Sequence, residues 1–387
     1  MPMRIFVSAG EPSGDLHGGN LIKALSRIDR SVHFTAFGGE RMSAAGARIL
    51  FPLSRLSIIG FVEPFTKGHR FLEAIWRADR YFREERPDAA VLIDFPGFHW
   101  WLARRAGARG IPVYYFVPPQ LWAWAGWRVS KMRRSVDQVL CSLPFEEAWY
   151  HARGVPARYV GHPYFDELTG QRLDDEFIAS QRALPGRMVA LLPGSRTQEL
   201  KRNLTTLLRA AARIHAACPD TRFLVACLSV AHQESVASAI RGRVPSVSVY
   251  AEKTPEIIEL AHSAIAVSGS VGLELLYRAK PSVVTYRVHR HLLWLSHLLK
   301  KCKYISLVNL LAERELFPEF LSAGCEANGI AEHVIRWLKD ENAYRELRIE
   351  LSALRDRVAL PGACNRAARW ILEDVEKRRR RIDLPAA

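Results

Sequence analysis

Two hydrophobic patterns alternate along the chain. Short apolar runs cover Arg4–Ala9, Val32–Phe37, Ile49–Phe51, Ala89–Ile93, Pro112–Phe116, Val136–Cys141 and Ala157–Val160. Ala89-Ala90-Val91-Leu92-Ile93 is apolar at every position, as a parallel strand covered on both faces requires. Longer stretches between the runs repeat apolar residues every three to four positions, the helical period. A polar segment, Gly170–Gly186, breaks the series. A second series follows, with runs at Met188–Leu192, Phe223–Val225, Val247–Tyr250, Ile265–Val267 and Val283–Tyr286, and beyond Gly324 only the helical period remains. Strands alternating with helices, twice over, predict an α/β chain of two facing Rossmann-like doubly wound domains with a cleft between them. The predicted domains span residues 1–168 and 169–355, with C-terminal helices over 356–387 that pack back on the first domain or exchange in a dimer.

Ligands in such folds bind outside the carboxyl ends of the strands, so the strand-to-helix turns carry the candidate chemistry. Met188–Leu192 runs through Pro193 into Gly194-Ser195-Arg196, and a helix is predicted over Gln198–His215. Free backbone N–H groups and a helix N-terminus make that turn an anion site. Ser195 is the expected N-cap, with Gln198 completing a capping box, and Arg196 adds a forked cation suited to phosphate. The device repeats at Ser268-Gly269-Ser270, where Ser270 is expected to cap the next helix and Glu274, one turn in, to accept hydrogen bonds from a ribose diol. Each turn taken alone can equally be no more than a capped helix start. Two in one domain favour a nucleoside diphosphate. In the first half, Asp94 ends a buried strand, and Glu11 and Asp15 lie in the glycine-rich turn Gly10–Gly14 and its continuation. A carboxylate there can act as a general base toward a substrate hydroxyl, or cap a helix. His17, His99 and His162 are further candidates, with a structural role the plainer reading. No D-x-D, H-x-x-x-H or cysteine pair is present, so no metal or other cofactor is expected.

Composition adds little except charge. The 387 residues are 49% hydrophobic and 25% charged, ordinary for a globular protein, and six scattered cysteines suggest neither a disulfide framework nor a zinc site. The N-terminus enters a strand directly, and no apolar run is long enough to span a bilayer. The net charge of +15 suits polyanions: nucleic acid, an anionic membrane or phosphorylated ligands. Dispersed arginine without a basic stripe argues against nucleic acid. A broken apolar segment, Ile58–Phe65, leads into an amphipathic helix with Phe71, Leu72, Ile75, Trp76 and Phe82 on one face. With Trp100, Trp101, Trp122, Trp124 and Trp127 these residues either fill the core or form an interfacial, membrane-facing surface.

Gly10-Glu11-Pro12-Ser13-Gly14-Asp15, Trp122-Ala123-Trp124, Leu143-Pro144-Phe145-Glu146, Gly161-His162-Pro163, Leu192-Pro193-Gly194-Ser195-Arg196 and Ser306-Leu307-Val308-Asn309-Leu310-Leu311 occur in this order. In that combination the chain resembles the lipid-A-disaccharide synthase family, from about Arg4 into the C-terminal helices. The resemblance implies a GT-B glycosyltransferase that joins UDP-2,3-diacylglucosamine to 2,3-diacylglucosamine 1-phosphate, forming a β-1,6 disaccharide and releasing UDP. It implies work at the cytoplasmic face of the inner membrane, and a family able to form a homodimer with exchanged C-terminal segments. By resemblance, Asp94 matches the essential acidic position and is the first choice for general base, and Glu11 matches a position on the acceptor side. Arg196 and Asn309 match positions needed for activity on the UDP-sugar side. The membrane patch maps to Val62, Pro64, Phe65, Phe71 and Leu72. Gly97 stands where an acidic residue is common, and Ser270 where Thr is common. The two-domain pattern is also that of UDP-N-acetylglucosamine 2-epimerases and of the peptidoglycan glycosyltransferase, and a non-catalytic basic binding protein is the reading from another class.

Overall fold

The computed structural model describes residues 2–54, 68–240, 246–288 and 303–383. The chain divides into two compact units, Met1–Thr169 with Leu360–Ala387, and Gly170–Ala359. Each unit is a parallel sheet flanked by helices.

The first sheet contains β1 (Arg4–Ala9), β2 (His33–Phe37), β3 (Arg48–Phe51), β4 (Ala89–Ile93), β5 (Val113–Phe116), β6 (Gln138–Cys141) and β7 (Ala157–Tyr159), in the order β3-β2-β1-β4-β5-β6-β7. The second contains β8 (Met188–Leu192), β9 (Arg222–Cys227), β10 (Val247–Ala251), β11 (Ser263–Val267), β12 (Ser282–Arg287) and β13 (Glu319–Ser322), in the order β10-β9-β8-β11-β12-β13. The strand order therefore reverses between β1 and β4 in one unit and between β8 and β11 in the other. At such a switch point the two flanking helices leave for opposite faces, and a crevice opens outside the carboxyl ends.

The runs read as strands are strands because every residue of β4, β8 and β11 is buried. One face of the first sheet packs Phe6, Phe37, Phe82 and Tyr115. The other packs Val7, Leu21 and Ile22 together with Ala367, Ala368, Ile371 and Leu372 of the last helix, Ala363–Asp383. That helix is fastened by its start and its far end. Asp166 accepts from the N–H groups of Gly362, Ala363 and Cys364, which caps the helix. Arg379 reaches Asp88 at 2.7 Å, and Tyr114 donates to Asp374 at 2.7 Å.

Some elements depart from the sequence-based expectation. β13 has no continuous apolar run, since this edge strand is only half-buried along its length and follows Pro318. The segment after β5 closes one helical turn at Leu121–Trp124, which no hydrophobic period marks in the sequence. The helix Gly68–Glu84 does not bury its apolar residues as one face. Ile75 and Phe82 enter the core and Phe71 packs against it, whereas Leu72 and Trp76 are 68% and 60% exposed. At about 100° per residue, Leu72 and Trp76 sit roughly a quarter to a third of a turn away from the other three. Val62, Pro64 and Phe65 lie outside the described residues.

Candidate functional site

In the first unit, the register Ala9↔Ile93 brings the turn after β1 beside the turn after β4. Glu11 is the N-cap of the helix Pro12–Ile28, with extended backbone and no side-chain cap bond. Gly10 has to be glycine, since a Cβ there would lie 2.2 Å from the Phe95 ring. Asp15 takes the structural role: it accepts from the N–H groups of Gly39 (2.6 Å) and Arg41 (3.0 Å), capping the neighbouring helix Glu40–Ala44.

Asp94 and Phe95 both have φ of 50°, in the left-handed region. For non-glycine residues this costs about 1–2 kcal/mol each, and the conformation persists only where surroundings enforce it. The enforcing contacts are visible. The Asp94 carbonyl accepts from His99 Nδ1 at 2.6 Å and from the Tyr115 hydroxyl at 2.6 Å. His99 Nε2 lies 2.9 Å from Ser8 Oγ. A carbonyl only accepts, so Nδ1 carries the proton and Nε2 accepts from the Ser8 hydroxyl. His99 is fully buried, and burial lowers its pKa to about 3, so the ring is neutral. Just after the adjacent strand, Val117 is also left-handed, with φ of 52°.

Trp122, read as core or membrane surface, is 9% exposed and anchored inside the unit. Its indole N–H donates to Glu146 Oε1 at 3.0 Å, and its ring meets Phe145 edge-on at 4.9 Å. Glu146 Oε2 accepts from the N–H groups of Ser142 (3.0 Å) and Leu143 (2.9 Å). Burial pushes the Glu146 carboxyl up to about 7, against the pull of these donors. An indole has one N–H, and a buried one seeks an acceptor, which the sequence supplied three helical positions into Leu143-Pro144-Phe145-Glu146.

In the second unit, β8 and β11 deliver the two small-residue turns to the other switch point. Gly194 has φ of 102°, and a Cβ there would lie 2.7 Å from Glu199 Oε2. This left-handed turn delays the helix, which spans Thr197–Ala217, so its N-cap is Arg196 rather than Ser195. Glu199, not Gln198, completes the capping box: it accepts from the Arg196 N–H at 3.3 Å. The Arg196 guanidinium donates to the other Glu199 oxygen at 3.3 Å and is 57% exposed. Gly194, Ser195 and Arg196 thus form an accessible, positively charged turn. Thr197 Oγ1 lies 3.0 Å from His232 Nε2, a neighbour 35 residues away that no local motif signals.

Gly269 and Ser270 are exposed before the helix Val271–Tyr277, but the Ser270 side chain makes no cap bond because its backbone is already helical. Ser268 is held by its N–H to the Thr285 carbonyl at 3.2 Å. Glu274, expected at a ribose, is 3% exposed and paired with Arg278 at 3.4 Å. Asn309 is fully buried. Its amide NH2 donates to the Phe317 carbonyl (2.7 Å) and Glu319 (2.8 Å), and its oxygen accepts from the N–H groups of Leu316 (2.9 Å) and Phe317 (2.8 Å). An amide with both donors and both acceptor positions taken shapes the backbone around it. Among the described residues no group of three or more His, Cys, Asp and Glu is placed to hold a metal ion, and no helix is long and apolar enough to cross a membrane.

The two-sheet fold has counterparts among known proteins. UDP-GlcNAc 2-epimerase from Neisseria meningitidis, solved with UDP-GlcNAc, superposes with a TM-score of 0.65 at 11% identity, covering 97% of this chain and 100% of that one. That likeness concerns the fold, which is of the GT-B type. In sequence, the lipid-A-disaccharide synthase of Myxococcus xanthus is 36% identical over 377 residues, 96% of this chain and 97% of the relative. That of Nitrosococcus oceani is 31% identical, covering 92% of each chain. The family model for lipid-A-disaccharide synthetase matches residues 5–369, so the chain belongs to the lipid-A-disaccharide synthase family.

Proposed function

We propose that the second unit binds UDP-2,3-diacylglucosamine and that the first binds 2,3-diacylglucosamine 1-phosphate, with Asp94 as the base. The enzyme is a glycosyltransferase of lipid A biosynthesis using a UDP-sugar. The observation that carries the residue assignment is that Gly194-Ser195-Arg196 and Asp94 each stand at the strand-order reversal of their sheet. Asp94 removes the proton from the acceptor 6-hydroxyl as that oxygen attacks the anomeric carbon. The configuration inverts and UDP departs. Charge developing on the diphosphate is met by the N–H groups after Gly194, by Ser268, Gly269 and Ser270, and by Arg196. Arg196 exchanges Glu199 for phosphate at little cost, because an exposed ion pair contributes about 0–1 kcal/mol. Glu11 lies on the acceptor side, beside Asp94.

The protein meets the cytoplasmic face of the inner membrane through exposed apolar residues of the first unit. Leu72, Trp76, Trp101 and Trp127 are 68%, 60%, 49% and 60% exposed. Arg80, Arg105 and Arg128 lie within 5.9 Å of the rings of Trp76, Trp101 and Trp127. Exposed indoles flanked by guanidinium groups suit an anionic headgroup layer.

The test is to supply both lipids and measure UDP and disaccharide. Asp94→Asn and Arg196→Ala are expected to lose most turnover while melting like the parent. Full activity in Asp94→Asn removes Asp94 as base. EDTA is expected to leave the rate unchanged, and a loss restored by Mg²⁺ would refute departure without metal. Leu72→Asp with Trp76→Asp is expected to lower sedimentation with anionic vesicles; unchanged sedimentation refutes the membrane surface.

A further inference from the structure

Three strands of the first sheet converge on one backbone carbonyl. Ser8 belongs to β1, Asp94 follows β4 and Tyr115 belongs to β5, while His99 comes from the helix Pro96–Gly107. Ser8 and Tyr115 are both paired in register with Leu92, two residues before Asp94. All three partners are fully buried. Returning Asp94 to an extended conformation would swing its carbonyl away from both donors. The His99 N–H and the Tyr115 hydroxyl would then be left in the core without acceptors, which is strongly disfavoured. The left-handed backbone is therefore locked from below, and it sets the direction in which the Asp94 carboxylate leaves the chain.

We infer that Tyr115, His99 and, through His99, Ser8 are positioning residues for the Asp94 base: they fix its backbone and do not themselves exchange protons with substrate. The inference rests on Asp94 being the base. The His99 ring is neutral and committed at both nitrogens, its one proton held by the Asp94 carbonyl. Its part is geometric. A base held by its backbone acts on the chemical step, so loss of the clamp lowers kcat and leaves substrate binding alone. A misplacement of about 1 Å at a reacting group costs on the order of 100-fold in rate.

The experiment compares Tyr115→Phe, His99→Leu and His99→Asn with Asp94→Asn, using both lipid substrates. Asparagine places an N–H donor where His99 has Nδ1, so it keeps the bond to the Asp94 carbonyl. Leucine does not. Expected are kcat losses of roughly 10- to 100-fold in Tyr115→Phe and His99→Leu, with KM for both substrates within about twofold of the parent. His99→Asn is expected to recover to within about threefold of the parent kcat. Tyr115→Phe removes a single oxygen, so it keeps the inference testable if His99→Leu does not fold. If Asp94→Asn is inactive while Tyr115→Phe keeps parental kcat, the positioning inference is wrong and the base assignment stands. If Asp94→Asn is fully active, the base assignment itself is wrong. A rise in KM with unchanged kcat, or a His99→Asn variant as slow as His99→Leu, also overturns the inference.

Discussion

Glu146→Gln separates burial from hydrogen bonding at the Trp122 anchor. The Glu146 carboxyl is fully buried and is raised from 4.5 to about 7. A folded-state pKa above the unfolded one means that the folded state holds the proton more tightly. The associated stability is present below about pH 4.5 and is lost as pH rises through about 7. A rise from 4.5 to about 7 corresponds to about 3 kcal/mol in full, most of which falls between about pH 5 and about pH 8. Glutamine has no such dependence. Its amide oxygen can serve the N–H groups of Ser142 and Leu143, but its NH2 then faces the Trp122 N–H, and that indole loses its acceptor. The expected penalty is about 1–3 kcal/mol, the same at every pH. The measurement is urea unfolding of parent and variant at both pH values, followed by tryptophan fluorescence. Other groups titrate in this window, but they are shared and cancel in the difference of differences. The parent should lose roughly 2–3 kcal/mol more than the variant on going from about pH 5 to about pH 8. Equal losses in the two proteins would refute the idea that burial, rather than the surrounding donors, governs this carboxyl.

Three further outcomes follow from the same contacts. Gly10→Ala drives a methyl into the Phe95 ring, which must move; overpacking of this kind costs about 1–3 kcal/mol, and a thermal melt together with kcat should show both a lower melting temperature and slower turnover. Asn309→Ala strands the N–H groups of Leu316 and Phe317 in the interior, so unfolding free energy should fall by about 3 kcal/mol; parental stability with lost UDP affinity would instead show that the amide touches nucleotide. His99 has its folded pKa depressed to about 3, so its stability is present above about 6.5 and is lost on acidification; about 2 kcal/mol should go between about pH 7 and about pH 5 in the parent and not in His99→Asn, read by denaturation at the two pH values.

The sheet architecture was legible because buried parallel strands write themselves as unbroken apolar runs, and β1 and β4 were bounded to the residue. Edge strands do not: β13 is only half-buried, and its two apolar residues, Phe320 and Leu321, are too short a run to mark a strand. The turns were legible as places but not as contacts. Glycine and serine between a strand and a helix mark a carboxyl edge, yet Ser195 and Arg196 differ as N-cap only through the backbone of Gly194, which composition does not encode. Glu274 was placed by its spacing and Asn309 by the resemblance, but neither signal shows the side chain's partners: Arg278, one turn on, closes on one, and the backbone of Leu316 and Phe317, seven and eight residues on, closes on the other. The support of Asp94 was least legible. Ser8 is 91 residues from His99, and Tyr115 is 21 from Asp94. Only the sheet order joins them: β1 lies beside β4 although β2 and β3 intervene in the chain, and β5 flanks β4 on its other side. A switch point does more than open a crevice. It brings side chains of three separate elements beneath one peptide, where they can hold it in a conformation its own sequence disfavours.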